Sequence, residues 1–162
     1  MRLQYHSSVI FCSDLDKQRE FYEKFLAQNI KQDLGDCLVF ENGFTLWKLD
    51  KQFPISTELG YTYEPIGNRN LELCFETEYF EEAVEKVLLS NLRILHNVAE
   101  EKWGQYTIRF YDPEGNLVEI GETQQCMAVR MKSGGMNVAE ITKKSGMKKE
   151  IVEKLLKQKS EI

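Results

Sequence analysis

Residues 103–122 read WGQYTIRFYDPEGNLVEIGE, and this stretch decides the fold. QYTIRFY and NLVEIGE each alternate apolar and polar side chains. Asp112-Pro113-Glu114-Gly115 between them has the composition of a Pro-containing turn. The stretch therefore predicts two strands joined by a tight connection. Side-chain parity sends Ile108, Phe110, Val118 and Ile120 to a core and turns Thr107, Arg109, Tyr111, Leu117 and Glu119 to the opposite face.

The pattern extends upstream. NLELCFET predicts a strand with Leu71, Leu73 and Phe75 on one face. EYFEEAVEKVLLSNL predicts a helix with Phe80, Ala83, Val84, Val87 and Leu88 in a stripe, and RILHNV a further short strand. The same order begins the chain. Val9, Ile10 and Phe11 suit a short strand, and Ser13-Asp14 a helix cap with Asp16 as capping-box partner of Ser13. LDKQREFYEKFL then places Leu15, Tyr22, Phe25 and Leu26 on one helix face, and Gly35 marks a break. CLVFENGFTLWKL reads as a hairpin turning at Asn42-Gly43.

Strand–helix–strand–strand–strand thus occurs twice, in module one (1–50) and module two (69–122). The linker 51–68 between them holds Pro54, Gly60, Pro65 and Gly67. A βαβββ unit cannot bury both of its faces alone. The expected fold class is α+β: two such modules pairing into a curved mixed sheet, with helices on the convex side and a concave pocket, within a domain spanning 1–126.

The 162 residues, 42% hydrophobic and 29% charged, can fill a core, and no apolar run is long enough to span a membrane. The N-terminus lacks a secretory leader's apolar stretch, so a cytoplasmic location is expected. Cys12, Cys37, Cys74 and Cys126 form no C-x-x-C pair and read as reduced thiols. No P-loop, dinucleotide fingerprint or nucleophile elbow is present.

The formal net charge of −5 is uneven: residues 127–162 carry nine Lys or Arg against four Glu, leaving the rest acidic. This basic helical extension predicts two short helices. One starts at Asn137, with Glu140 completing a capping box, and stops at Gly146; the other is KKEIVEKLLKQ, with Ile151, Val152, Leu155 and Leu156 on one stripe. Gly134-Gly135 is read as a hinge. The pair resembles the start of a helix-turn-helix, but such a motif needs a third supporting helix. Docking on the main domain or on a second protomer, as a cavity cap or dimer clasp, is therefore favoured over nucleic acid.

The 103–122 segment is similar to the closing strands of the vicinal oxygen chelate superfamily, which includes glyoxalase I, bleomycin- and fosfomycin-resistance proteins and extradiol dioxygenases. Ser13-Asp14-Leu15-Asp16 and Phe21-Tyr22-Glu23-Lys24-Phe25-Leu26 resemble its first strand-to-helix junction. In the metal-dependent members this resemblance implies four ligands, from the first and last strands of each module. Those positions fall here on Ser7, Trp47, Glu72 and Glu119, with His6 one residue off and on the other side of its strand unless a bulge turns it inward. The resemblance holds for the fold and breaks at the metal. Two carboxylates could hold Mg²⁺ or Mn²⁺ weakly, but suit Zn²⁺ or Ni²⁺ poorly.

The expected substrate-binding residues are Glu72, Glu119, Trp47, Arg109, Tyr111, Ser7 and Phe11, with no metal ligand assigned and Glu119 as the candidate catalytic group. Glu72 and Glu119 would be close neighbours, so one needs a basic partner, and Arg109 could pair with Glu119 bidentately. His96 is expected at a strand end, and Trp103-Gly104 at the cavity mouth or in a plain turn.

The function expected is small-molecule binding of the glyoxalase/bleomycin-resistance type without a cofactor, in a homodimer and away from membranes. One alternative is a glyoxalase-like lyase or isomerase with a weakly held divalent metal, in which Glu119 or Glu72 binds the ion or acts as base. A second is a regulatory protein whose tail touches DNA.

Overall fold

The computed structural model describes residues 3–62, 64–65 and 67–158. The chain forms two compact units. Unit 1 is Met1–Asn70 together with Asp112–Asn116, and unit 2 is Leu71–Tyr111 together with Leu117–Ile162.

Unit 1 runs β1 (Ser8–Cys12), α1 (Leu15–Arg19), β2 (Ile30–Asp33), β3 (Cys37–Phe40), β4 (Phe44–Lys48) and α2 (Pro54–Glu58). Its sheet has the order β1-β4-β3-β2, with β1 parallel to β4 and the rest antiparallel. The hairpin expected at Asn42-Gly43 joins β3 to β4, and Gly43 has a φ of 86°. Ile10, Cys12, Leu38, Phe40, Phe44 and Leu46 are buried with Tyr22 and Phe21. Phe40 and Phe44 stack at 4.3 Å, and Tyr22 sits 5.2 Å from Phe44.

Three expectations in unit 1 are corrected. The cap of α1 is Asp14, which accepts from the backbone N–H of Lys17 at 3.1 Å. Ser13 is instead taken by Glu114, whose Oε1 accepts from Ser13 N (2.9 Å), Ser13 Oγ (2.8 Å) and Asp14 N (3.0 Å). A buried carboxylate thus covers the positive end of the helix, so Ser13 has no role in a capping box with Asp16. Second, the helix is not regular: after Arg19 it widens into a π-turn over Glu20–Phe25, with Leu26 N–H donating to Phe21 O. Gln18, Phe21 and Tyr22 are buried, Tyr22 as expected, whereas Phe25 and Leu26, at and just after the end of the widened turn, are only half-buried. Third, the linker holds a helix, α2, because Pro54 sits at its first position, where a missing N–H costs nothing.

Unit 2 carries β5 (Asn68–Thr77), α3 (Phe80–Leu88), β6 (Ile94–Glu100), β7 (Tyr106–Tyr111), β8 (Asn116–Glu122), α4 (Gln124–Ser133), α5 (Val138–Ser145) and α6 (Lys149–Lys157). Its strand order, β5-β8-β7-β6, repeats that of unit 1, so the duplicated βαβββ pattern is present. Ile108, Phe110, Val118 and Ile120 are buried as parity required. Leu88 departs from the expected helix stripe: it is 49% exposed, beside Leu89 at 80%.

The tail has three helices, not two. The 1–126 boundary falls inside α4, which begins after Thr123 accepts from Cys126 N–H as its cap. Met127, Met131, Ile141 and Val152 form a small core shared by α4, α5 and α6, so the third helix expected to be missing is supplied by α4. Asn137 and Glu140 make the reciprocal capping box, and Gly146 ends α5 at a φ of 72°. Ile151 lies off the buried stripe of α6, 43% exposed. The bundle is fastened to sheet β5-β8-β7-β6 at two points. Arg130 pairs with buried Glu122, donates to Gly104 O at 2.5 Å and stacks 3.6 Å over Tyr106; Lys144 pairs with Glu100. No helix among the described residues is long and apolar enough to cross a membrane.

Candidate functional site

Four adjacent strands of unit 2 each place one polar side chain in a row: Glu72 on β5, Glu119 on β8, Arg109 on β7 and His96 on β6. Arg109 is the Cα partner of Glu119 on one side and of His96 on the other. The 111–117 connection sets the first of these pairings, which is why Arg109 was readable as the partner of Glu119.

The guanidinium does more than the expected bidentate pair. Its Nη2 meets Glu119 Oε2, its Nε donates to Glu72 Oε1 at 2.6 Å, and its Nη1 donates to Glu101 Oε1 at 2.5 Å. Nη1 also lies 3.2 Å from His96 Nε2 and 3.3 Å from Thr107 Oγ1. Three carboxylates therefore share one cation. Its fork of donors points in three directions, so it cannot give two bonds to a single partner.

Glu101 was missed from the sequence. It follows β6, and its side chain reaches Arg109 and Thr107 because Glu100 is paired with Tyr106 across the strand pair. Counting that register would have found it.

Burial sets the electrostatics. The side chains of Glu119, Arg109, Glu101 and Glu72 are 10%, 18%, 20% and 28% exposed. Burial pushes the Glu119 carboxyl up. Arg109 opposes that shift, and the negative charges of Glu72 and Glu101 reinforce it. Glu101 is held down by its hydrogen bond from Arg109. Burial works against the Arg109 charge, yet the hydrogen bonds to Glu101 and Glu72 and the charge of Glu119 carry the guanidinium above its ordinary value. Burial also pushes the neighbouring Cys74 thiol up to about 11, with help from Glu119 and Glu72.

The other expected site residues fall elsewhere. Tyr111, at the end of β7, lies under the Arg93 guanidinium, 3.7 Å from its carbon, and so is engaged outside the Arg109 cluster. Trp103 is 43% exposed and donates from its indole to Gln105 Oε1 at 2.9 Å, as in a turn with a packed ring.

Ser7, Phe11 and Trp47 lie in unit 1, on the face of its sheet opposite Ile10 and Leu46. Ser7 Oγ shares a 2.7 Å hydrogen bond with Thr45 Oγ1 and donates to Gly43 O at 3.1 Å. Trp47 packs edge-on against Phe11 at 5.8 Å and Phe53 at 5.1 Å, and Phe11 against Tyr61 at 6.5 Å. The two sides of this face are thus a hydroxyl pair and an aromatic wall. His6 precedes β1 and is exposed, and the β1–β4 register holds no bulge from Ser8 to Cys12.

These contacts bear on a divalent ion. Oxygen and sulfur atoms of Glu72, Cys74 and Glu119 lie within 4.8 Å of one another, a spacing an ion could use. Arg109 already fills it, contacting Glu72 and Glu119 directly. A divalent ion about 4 Å from that guanidinium would meet a repulsion of about 8 kcal/mol at the effective dielectric of such sites. Of the positions the resemblance pointed to, the Ser7 hydroxyl is spent on Thr45 and Gly43, and the Trp47 indole offers no lone pair. With Arg109 in place, the donor set does not fit a metal.

Known proteins agree on the architecture. A protein of unknown function from Agrobacterium tumefaciens str. C58 is 28% identical, with 76% of this chain covering 96% of that one at a TM-score of 0.64. A glyoxalase/bleomycin resistance protein/dioxygenase from Nocardioides is 21% identical over 75% of this chain and 84% of its own, with a TM-score of 0.56. The fosfomycin resistance protein from Mesorhizobium loti, 13% identical, is covered over 99% by 81% of this chain, with a TM-score of 0.53. No curated protein matches the chain in sequence. The family described as a glyoxalase-like domain matches residues 5–125, which contain both βαβββ repeats and the whole Arg109 cluster. The chain therefore belongs to the glyoxalase-like domain family.

Proposed function

We propose that the protein binds a small organic molecule on the Arg109 face of the β5-β8-β7-β6 sheet, without a metal ion. The observation that carries this reading is the low exposure of the four charged side chains Glu72, Glu101, Arg109 and Glu119. They stand on the face opposite Ile108, Phe110, Val118 and Ile120. A sheet face that carried charge only because it is wet would leave such groups in solvent. Here they are recessed and hydrogen-bonded to one another, as the polar floor of a ligand site is.

Three carboxylates against one guanidinium leave acceptors in excess. The ligand that suits this floor offers hydrogen-bond donors, an amine or vicinal hydroxyls, rather than a carboxylate or phosphonate. A ligand-observed NMR screen of matched amines, polyols and acids tests this. Donor-rich binders whose contacts shift the amides of Glu72, Arg109 and Glu119 support the reading. Exclusive capture of acids, or shifts confined to other strands, would contradict it.

The tail supports a second, separate reading. α4 gives α5 and α6 the packed third helix that a helix-turn-helix needs, which supports a reading in which the tail touches duplex DNA. Lys132, Lys143, Lys148, Lys154 and Lys157 are exposed and make no ion pair among the described residues. Salt-dependent retention on duplex DNA that is lost on changing Lys154 and Lys157 to Glu would support it. No retention at low salt would end it.

A further inference from the structure

We infer that the apolar groove between α3 and the β6–β7 pair docks helix α6 of a second copy of this chain. The inference does not depend on the Arg109 face. Tyr106, which lines the groove, stands on the Ile108 and Phe110 side of β7, opposite Arg109.

The groove holds about 560 Å³ and is lined by Val84, Leu88 and Leu89 of α3, Val98 of β6 and Tyr106 of β7. It exists because the apolar arc of α3 is wider than its seat. Phe80 and Val87 are buried, whereas Val84 is half-buried and Leu88, Leu89 and Val98 are exposed. A contiguous apolar surface with a charged rim marks contact with another molecule. The rim here is Glu81 and Glu85, one helical turn apart. Both are exposed, and neither makes an ion pair among the described residues. Arg130, which stacks on Tyr106, is taken by Glu122.

The complement of this groove is on α6. Val152 and Leu156 belong to the small core shared with α4 and α5, which leaves Ile151 and Leu155 outside it, one turn apart, as a short apolar ridge. Lys148 and Lys154 lie three residues to either side of Ile151 and so border the ridge. Both are exposed and unpaired among the described residues, while Lys149 pairs with Glu153 and Glu150 is the acid left beside the ridge. A leucine-rich groove rimmed by two carboxylates thus meets its match in a ridge flanked by two ammonium groups. α6 is held to α4 and α5 of its own chain, so the helix that fills the groove comes from another copy. Groove and ridge are different surfaces, and two chains close on each other when each gives its ridge and receives its partner's.

Sedimentation velocity over a concentration series, at low and high salt, tests this on wild type and two charge reversals. One reversal is Glu81→Lys with Glu85→Lys; the other is Lys148→Glu with Lys154→Glu. Wild type should associate, and less so at high salt. Each reversed chain alone should associate at least about tenfold more weakly, and an equimolar mixture of the two should recover, because opposite charges face each other again. Carbodiimide coupling of mixed isotopically light and heavy wild-type chains is the second readout and needs no substitution. Links from Glu81 or Glu85 of one chain to Lys148 or Lys154 of the other support the inference. Wild type that stays monomeric at every concentration overturns it and leaves the Arg109-face reading untouched. Association that survives both reversals, or a mixture that stays dissociated, overturns it as well. If a reversed chain is unfolded by circular dichroism, the coupling decides, and the absence of those inter-chain links overturns the inference.

Discussion

The phenol of Tyr22 donates to Asp112 Oδ2 at 2.9 Å, joining residues 90 positions apart. The same oxygen accepts from Gln18 Nε2 at 3.1 Å and Asn116 Nδ2 at 2.9 Å. Oδ1 accepts the backbone N–H groups of Glu114 and Asn116 at 2.9 and 2.8 Å. Asp112 is 4% exposed, so none of these donors has water to turn to. Burial, together with the Asp112 charge, pushes the Tyr22 phenol well above its ordinary value and keeps it a donor. Asp112→Ala should lower stability by at least about 3 kcal/mol, and Tyr22→Phe by about 1–2, in urea unfolding. Equal small losses would show that the turn is not held this way.

Gly104 has a φ of 95°, and a Cβ added there would come within 1.9 Å of the Met131 methyl in α4. Its carbonyl also accepts from Arg130 at 2.5 Å. Gly104→Ala should cost about 1–2 kcal/mol and raise amide exchange in α4 before any other helix. Unchanged exchange in α4 would contradict the proposed seat of the bundle.

Because Glu119 titrates higher in the folded chain than in the unfolded one, it adds stability below the ordinary carboxylate range. That contribution is lost as the pH rises through its folded value. Glu119→Gln should therefore match wild type in melting temperature near pH 4 and exceed it at pH 8. A variant that is less stable than wild type at pH 8 alone would mean the pair with Arg109 outweighs desolvation.

Cys74 is exposed, yet its thiol is pushed up to about 11 by partial burial and by Glu119 and Glu72. At pH 8 only about one thiol in a thousand would be ionised. Alkylation followed by mass spectrometry should find Cys74 slow despite its exposure, and faster in Glu119→Gln. Fast labelling in wild type would remove the negative neighbourhood assigned to it.

Much of this was legible in the chain because it is local. Alternation in 106–122 and the Asp112–Gly115 turn set the register that pairs Arg109 with Glu119. Asn137, Glu140 and Gly146 marked the ends of α5 by capping chemistry alone. What could not be read depends on segments far apart. Glu114 covers the N-terminus of α1 across about a hundred residues, displacing Ser13 from its expected role. The fourth helix was hidden because its buried residues, Met127, Ala128 and Met131, make a weak stripe beside exposed Val129. Glu101 was missed because a loop residue carries no periodicity, and its partner is set only by the pairing of β6 with β7.

Elemental analysis of the purified protein after incubation with Mn²⁺, Co²⁺, Ni²⁺ and Zn²⁺ and extensive desalting addresses Arg109 most directly. If the guanidinium holds Glu72, Glu101 and Glu119 as their only cation, the desalted chain should retain each metal far below one ion per chain. Retention of one ion per chain, lost in Glu72→Gln or Glu119→Gln, would show that these carboxylates serve a metal and that Arg109 stands aside.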